Sequence, residues 1–351
     1  MTIVEKVTRL LKNEQQLSLQ EIYEKLPEHS HASVRGNINR YLQKCEKPAF
    51  SRIGKGLYAV VEIVSCTETD DGKFSVNYAA SYYSGEREIH FYHRNLVLDT
   101  PELTPGEYCC FDEFPNFDEL CEHQQSIVGI MESGDVREVL KHYRDNTFDL
   151  MVTDPPYRVI SGGNGNKAAP KGMLKKNDGK IFDFNDIAFE AWLPDCYRVL
   201  KEGSHAYIFS NFLNLEALMK AVQEVGFQIH NLLVWVKNNA NPNRWYMKNH
   251  EYVLLCRKGK AKAINNCGSK TVHQFNNILG GQKTHETEKP VDLLEFYIEN
   301  SSNPGDWCLD PFAGSGSFAE AALRTARRFV TIEIDDKYLD GIHSRCLKAL
   351  A

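Results

Sequence analysis

The sequence lacks the features that define several large protein classes. It has no apolar run long enough to cross a bilayer and no signal-peptide pattern at its start, which argues for a cytoplasmic protein without a membrane partner. Its ten cysteines show no framework spacing, so reduced thiols are expected. Cys256, Cys267, His273 and His285 fit no common zinc pattern, and no metal is expected. Neither a Ser-His-Asp arrangement nor a nucleophilic Pro-Cys pair is present, which removes covalent catalysis of those kinds. Positive charge is not in excess either. A net charge of −6 excludes a uniformly basic nucleic-acid binder. The charge is unevenly spread, however: acids crowd between Glu62 and Asp149, and bases predominate in Met1–Lys55, Arg158–Lys180 and Lys237–Lys289. Local basic faces of that kind remain compatible with DNA.

With 351 residues, 42% of them hydrophobic, the chain has material for a large core plus small modules. Residues 1–60 read as three short helices and a hairpin: Ile3, Val4, Val7, Leu10 and Leu11 fall at helical spacing, "SLQE" opens a second helix as a capping box, and Val34, Ile38, Tyr41 and Leu42 line a third. This is the order of a winged helix, with a small protein-docking module as the plainer alternative. Residues 61–124 alternate polar and apolar and read as a small antiparallel β module, a spacer or a dimerisation surface. From 125 to 351 apolar runs alternate with helical stretches, which predicts a mostly parallel sheet covered on both faces. Two stretches lack periodicity. Residues 158–180 read as a mobile basic loop, and 238–284 as a long irregular insertion suited to target recognition.

Two motifs carry the chemistry. In "LMVTDPPYRVI" an apolar strand runs into Asp154, Pro155, Pro156 and Tyr157. A rigid Pro-Pro pair between an acid and an aromatic suits a site that must hold both stiffly. In "CLDPFAGSGSFAEAAL" a strand ends at Asp310, a turn follows with glycines at 314 and 316, and a helix begins. Glu333 stands nineteen residues after Gly314 at the end of the next apolar strand, where Rossmann-type folds grip ribose hydroxyls. The loop has no lysine and no P-loop spacing, so a nucleoside without a triphosphate fits best. S-adenosyl-L-methionine is such a nucleoside.

Together "DPPY" and "DPFAGSGS" resemble the S-adenosylmethionine-dependent amino-methyltransferases of DNA. "SGDVREVL", "VLKEGSHAYIFSN", "WVKNNANPNRWYMKNHEYVLLCRKGK", "HETEKPVDLLEFYI" and "FVTIEIDDKY" look like further segments of that family. The catalytic motif precedes the glycine loop, as in the β-group order, and the resemblance covers roughly Ser126 to Ala351. It implies a Rossmann-like α/β methyltransferase fold with circularly permuted motif order, beside the winged-helix-like and antiparallel β modules. It also implies that Asp154 and the Pro155 carbonyl hold the target amine while Tyr157 stacks on a flipped base. Asp310, Phe312, Gly314, Ser315, Gly316 and Ser317 would border the methionine moiety, Glu333 and Ile334 the nucleoside, and Asp135 with Val136 the adenine. His285, Glu286, Lys289 and Pro290 match the segment before the helix under the loop, with Lys289 near the cofactor carboxylate by charge.

The expected reaction is adenine-N6 methylation. Cytosine N4 is the alternative within the same chemistry; a protein glutamine methyltransferase and a non-catalytic DNA-binding regulator are more distant ones. The expected partner is double-stranded DNA, for a chain acting as a monomer or homodimer; the sequence leaves open whether a restriction endonuclease partner exists. Lys167, Lys171, Lys175 and Lys176 in the basic loop, and Asn238, Asn243 and Arg244 in the insertion, are the expected DNA contacts.

Overall fold

The computed structural model describes residues 2–14, 16–44, 50–54, 57–68, 74–84, 87–98, 127–156, 187–241, 246–260, 262–278 and 288–350. The N-terminal part runs α1 (Ile3–Glu14), β1 (Gln16–Ser18), α2 (Leu19–Lys25), α3 (His31–Lys44), β2 (Phe50–Gly54) and β3 (Leu57–Glu68). Ser18 caps α2: its hydroxyl accepts from the Glu21 amide at 3.2 Å, and the Glu21 carboxylate accepts from the Ser18 amide at 2.7 Å. Val7, Leu11, Leu17, Ile22, Tyr23, Leu26, Val34 and Ile38 close a small core between the helices. β1 and β2 both pair antiparallel with β3.

β3 then continues out of this module. From Val61 it pairs with β4 (Phe74–Ser84), which pairs antiparallel with β5 (Arg87–Leu98). β5 in turn lies parallel to β6 (Ile127–Ser133), the first strand of the α/β part. The strands expected to stand apart within 61–124 therefore extend the main sheet. The reason lies in β5: Ile89 and Phe91 are fully buried in the same core as Met131 and Leu150, and the Phe91 ring meets His343 edge-on at 4.2 Å.

The α/β part continues with α4 (Val136–Val139), β7 (Phe148–Thr153), α5 (Leu193–Val199), β8 (Leu200–Ser210), α6 (Phe212–Val225), β9 (Gln228–Asn241), β10 (Lys248–Arg257) and β11 (Val272–Gln274). It closes with α7 (Val291–Ser301), β12 (Trp307–Asp310), α8 (Ser317–Arg324), β13 (Arg328–Glu333) and α9 (Asp336–Leu350). Within it the sheet order is β6-β13-β12-β7-β8-β10-β9-β11. β6, β13, β12, β7 and β8 are parallel, and β10 runs antiparallel between β8 and β9. Each parallel strand is apolar on both faces because helices cover both. In β8, Tyr207 and Phe209 join the core that includes residues of α7, α8 and α9, while Ala206 and Ile208 join the one that includes residues of α4, α5 and α6.

The region expected to be an irregular insertion, 238–284, is more regular than its sequence suggested. β9 runs on to Asn241, β10 returns from Lys248, and β11 adds to the far side of β9. Residues such as Lys237, Lys248 and Glu251 broke the apolar pattern because this hairpin is only half covered.

Candidate active site

Read across the sheet, β12 lies between β7 and β13, with Asp310 paired to Thr331 and Leu309 to Met151. Three strands thus deliver three acids to one edge: Asp154 after β7, Asp310 ending β12 and Glu333 ending β13. The chain departs to β13 on one side of β12, while β7 and β8 lie on the other, so this edge is a topological switch point, where open α/β sheets bind ligands.

The loop after β12 turns with Gly314 at φ 51 and Gly316 at φ 76, a region that favours glycine. A Cβ on Gly316 would also stand 2.7 Å from Cγ2 of Ile342 in α9. The amide of Gly314 donates to Glu333 Oε2 at 2.8 Å, and that of Asp335 to Oε1 at 2.9 Å. Glu333 is thereby fixed under the loop, and burial raises its carboxyl to about 7. Asp310 accepts from Thr153 Oγ1 at 2.8 Å and from the Phe312 amide at 3.1 Å. Burial pushes its carboxyl well above the usual range.

Asp154 stands differently. One oxygen, Oδ2, is held by the Lys289 ammonium, while Oδ1 is buried and has no hydrogen-bond partner among the described residues. Burial raises this carboxyl and Lys289 opposes the rise. Lys289 is 8% exposed, lies 3.5 Å from Glu251 Oε2 and sits 5.1 Å over the Phe209 ring. Glu251 in turn takes the Lys237 ammonium. Lys289, expected at the cofactor's carboxylate, is here engaged by two carboxylates of the protein.

The remaining expected residues divide. Asp135 follows β6, whose Ser133 pairs with Glu333, and the intervening Gly134 amide donates to the Glu333 carbonyl at 2.9 Å. Its carboxylate caps α4 and takes the Arg137 guanidinium at 2.5 Å, which holds its pKa below the ordinary value. Val136 packs into the core beside α5. Phe312 meets Trp192 edge-on at 5.0 Å, whereas Ile334 is 39% exposed beside Glu333. Ser315 and Ser317 share a hydrogen bond of 2.8 Å, and Ser317 also accepts from Arg345 at 3.0 Å. Pro155 is buried, Pro156 half-buried, and Pro290 begins α7. Asn238 accepts from the Asn277 amide at 2.9 Å, a brace within the region of 238–284. Tyr157, Lys167, Lys171, Lys175, Lys176, Asn243, Arg244, His285 and Glu286 lie outside the described residues.

Sequence reasoning missed Thr153, Glu251 and Lys237. Thr153 adjoins the motif, and Glu251 is a lone acid entering an apolar strand, a signal that was available in "NHEYVLLC".

This set fits a nucleoside sulfonium. Glu333, oriented by two amides, retains lone pairs able to accept from a ribose diol; Ile334 stands partly exposed beside it; Asp310 and Asp154 bring two further carboxyl groups to the same edge.

A model of the DNA methylase family, the N6/N4 amino-methyltransferases, matches residues 148–344, and the chain belongs to that family. Similar proteins include the Type II methyltransferase M2.DpnII of Streptococcus pneumoniae, 29% identical over 231 residues, 60% of this chain and 86% of that one. The Type II methyltransferase M.HinfI of Haemophilus influenzae is 29% identical over 248 residues, 60% of this chain and 66% of that one. Among solved structures, the M1.HpyAVI–SAM complex is 22% identical, covers 61% of this chain and 97% of its own, and has a TM-score of 0.46. The cytosine-N4-specific PvuII DNA methyltransferase is 18% identical, with 62% and 86% covered and a TM-score of 0.49. The chain is an S-adenosylmethionine-dependent DNA methyltransferase.

Proposed function

We propose that the methyl group goes to the N6 amine of an adenine flipped out of double-stranded DNA. The carrying observation is the half-held carboxylate of Asp154, with one oxygen on Lys289 and the other buried and without a partner among the described residues. An exocyclic amine is a poor nucleophile because its lone pair is delocalised into the ring. Asp154 Oδ1 can accept one of its hydrogens and the Pro155 carbonyl the other, which draws the nitrogen toward tetrahedral geometry. S-adenosylmethionine, when bound, supplies an electrophilic methyl group on its sulfonium. The protein's part is to hold the amine in line and to meet the positive charge that develops on nitrogen. An acid opening the motif favours adenine over cytosine. Nucleoside mass spectrometry of DNA incubated with the enzyme and S-adenosylmethionine should give N6-methyladenine; N4-methylcytosine in its place would overturn the assignment.

The same reading gives the flanking parts their roles. Residues 1–60 act as a winged-helix-like DNA module, and the bases of 158–180, among them Lys167, Lys171, Lys175 and Lys176, contact DNA. The hairpin of β9 and β10 reads the target: Tyr246 is 90% exposed and Met247 is exposed beside it, before Lys248. If Arg244 reads a base, Arg244→Ala relaxes preference at one position; an even loss at all sites would make it a phosphate contact. A restriction endonuclease acting on the same sequence completes this reading.

A further inference from the structure

Two carboxylates and two ammonium groups, Lys289 buried and the other three half-buried, meet at the reacting edge of the sheet, and they come from four elements. Asp154 follows β7, Lys289 precedes α7, Glu251 is on β10 and Lys237 on β9. Glu251 pairs with Trp235 across the hairpin, so Lys237 is two residues further along the same strand. Within the set two carboxylates meet two ammonium groups, the kind of pairing under which charges away from solvent are tolerated.

We infer that Lys289, Glu251 and Lys237 are positioning residues for Asp154: Lys289 fixes Oδ2, Glu251 holds Lys289 from its other side, and Lys237 balances Glu251. The inference rests on the reading of Asp154 as the acceptor of the target amine. A carboxylate held at neither oxygen can rotate and can take a proton in a buried site; held at one, it presents the other in a fixed direction. Glu251 has the second task of preventing Lys289 from neutralising Asp154 alone, because the amine becomes positive as the methyl arrives. Asp310 on β12 is the further acid facing Asp154. Removing Lys289 would leave Asp154 facing Glu251 and Asp310 with its nearest cation gone, and one of these acids would then take up a proton.

The test uses the full chain with saturating S-adenosylmethionine, single-turnover methyl transfer against pH, and calorimetry of cofactor binding. Lys289→Met should slow transfer about 100-fold at neutral pH and move the acid limb of the profile to higher pH, while cofactor affinity stays within about twofold. Lys289→Arg should restore most of the rate. Glu251→Gln should slow transfer about tenfold and move the acid limb the opposite way, to lower pH, because a like charge beside Asp154 has been removed. Opposite displacements are not expected of two merely structural lesions. A tenfold or greater loss of cofactor affinity in Lys289→Met with an unmoved limb would overturn the inference, placing Lys289 on the cofactor carboxylate. Limbs that move the same way in both variants would also overturn it. If Lys289→Met does not fold, the direction of the Glu251→Gln limb decides. Asp154→Ala transferring at the wild-type rate would defeat the underlying reading, so the two failures are distinguishable.

Discussion

Glu333, buried, and Asp154, half-buried, are two acids at the carboxyl ends of neighbouring parts of one sheet, and they are held in opposite ways. Both oxygens of Glu333 accept backbone amides, from Gly314 and Asp335. Asp154 has one oxygen on a lysine and the other without a hydrogen-bond partner among the described residues. On the proposed function, a group that grips an unchanging diol can be fixed by backbone, whereas a group that must receive and release an amine each turnover needs an oxygen left open. That reading assigns Glu333 to the cofactor and Asp154 to the chemistry.

The largest effect should come from Asp154→Ala. Methyl transfer should fall by about a thousandfold or more while calorimetry finds S-adenosylmethionine binding nearly unchanged. Glu333→Ala should show the reverse bias, weakening cofactor affinity by about 1.5 to 3 kcal/mol, the range for hydrogen bonds to a charged group; unchanged affinity would remove Glu333 from the pocket. Thr153→Val deletes the hydroxyl between the two sides, and leaving Asp310 short of a donor should lower folding stability by about 1 to 2 kcal/mol in denaturant titrations. The smallest effect is one of pH. Glu333 is raised to about 7, so its anionic form fills as pH rises through that value. Cofactor affinity should then rise a few-fold across this window, by about 0.5 to 1 kcal/mol, and the rise should vanish in Glu333→Gln.

The parallel sheet was legible because buried strands read as apolar runs and the acids that end them interrupt those runs; the permuted motif order was legible only through the family resemblance. Asp154, Asp310 and Glu333 could be found that way. The capping box at Ser18 was legible for a similar local reason. The full length of the β9–β10 hairpin was not: the apolar runs 232–236 and 252–255 mark the cores of the two strands, but their extensions through Lys237 and Glu251 resemble a charged loop. The attachment of β5 to β6 was equally hidden: it depends on pairing between strands separated by residues 99–126, and no local pattern records which edge a strand will join. Lys289 was found from its motif, but its partners on β7 and β10 are distant in sequence, so charge alone pointed it at the cofactor.

The most direct test of the central claim is the turnover rate of Asp154→Ala and Glu333→Ala at S-adenosylmethionine concentrations high enough to saturate both. If one acid serves the chemistry and the other the cofactor, Glu333→Ala should recover to within about tenfold of wild type, and Asp154→Ala should remain at least about a thousandfold slower. Recovery of Asp154→Ala under the same conditions would contradict the account.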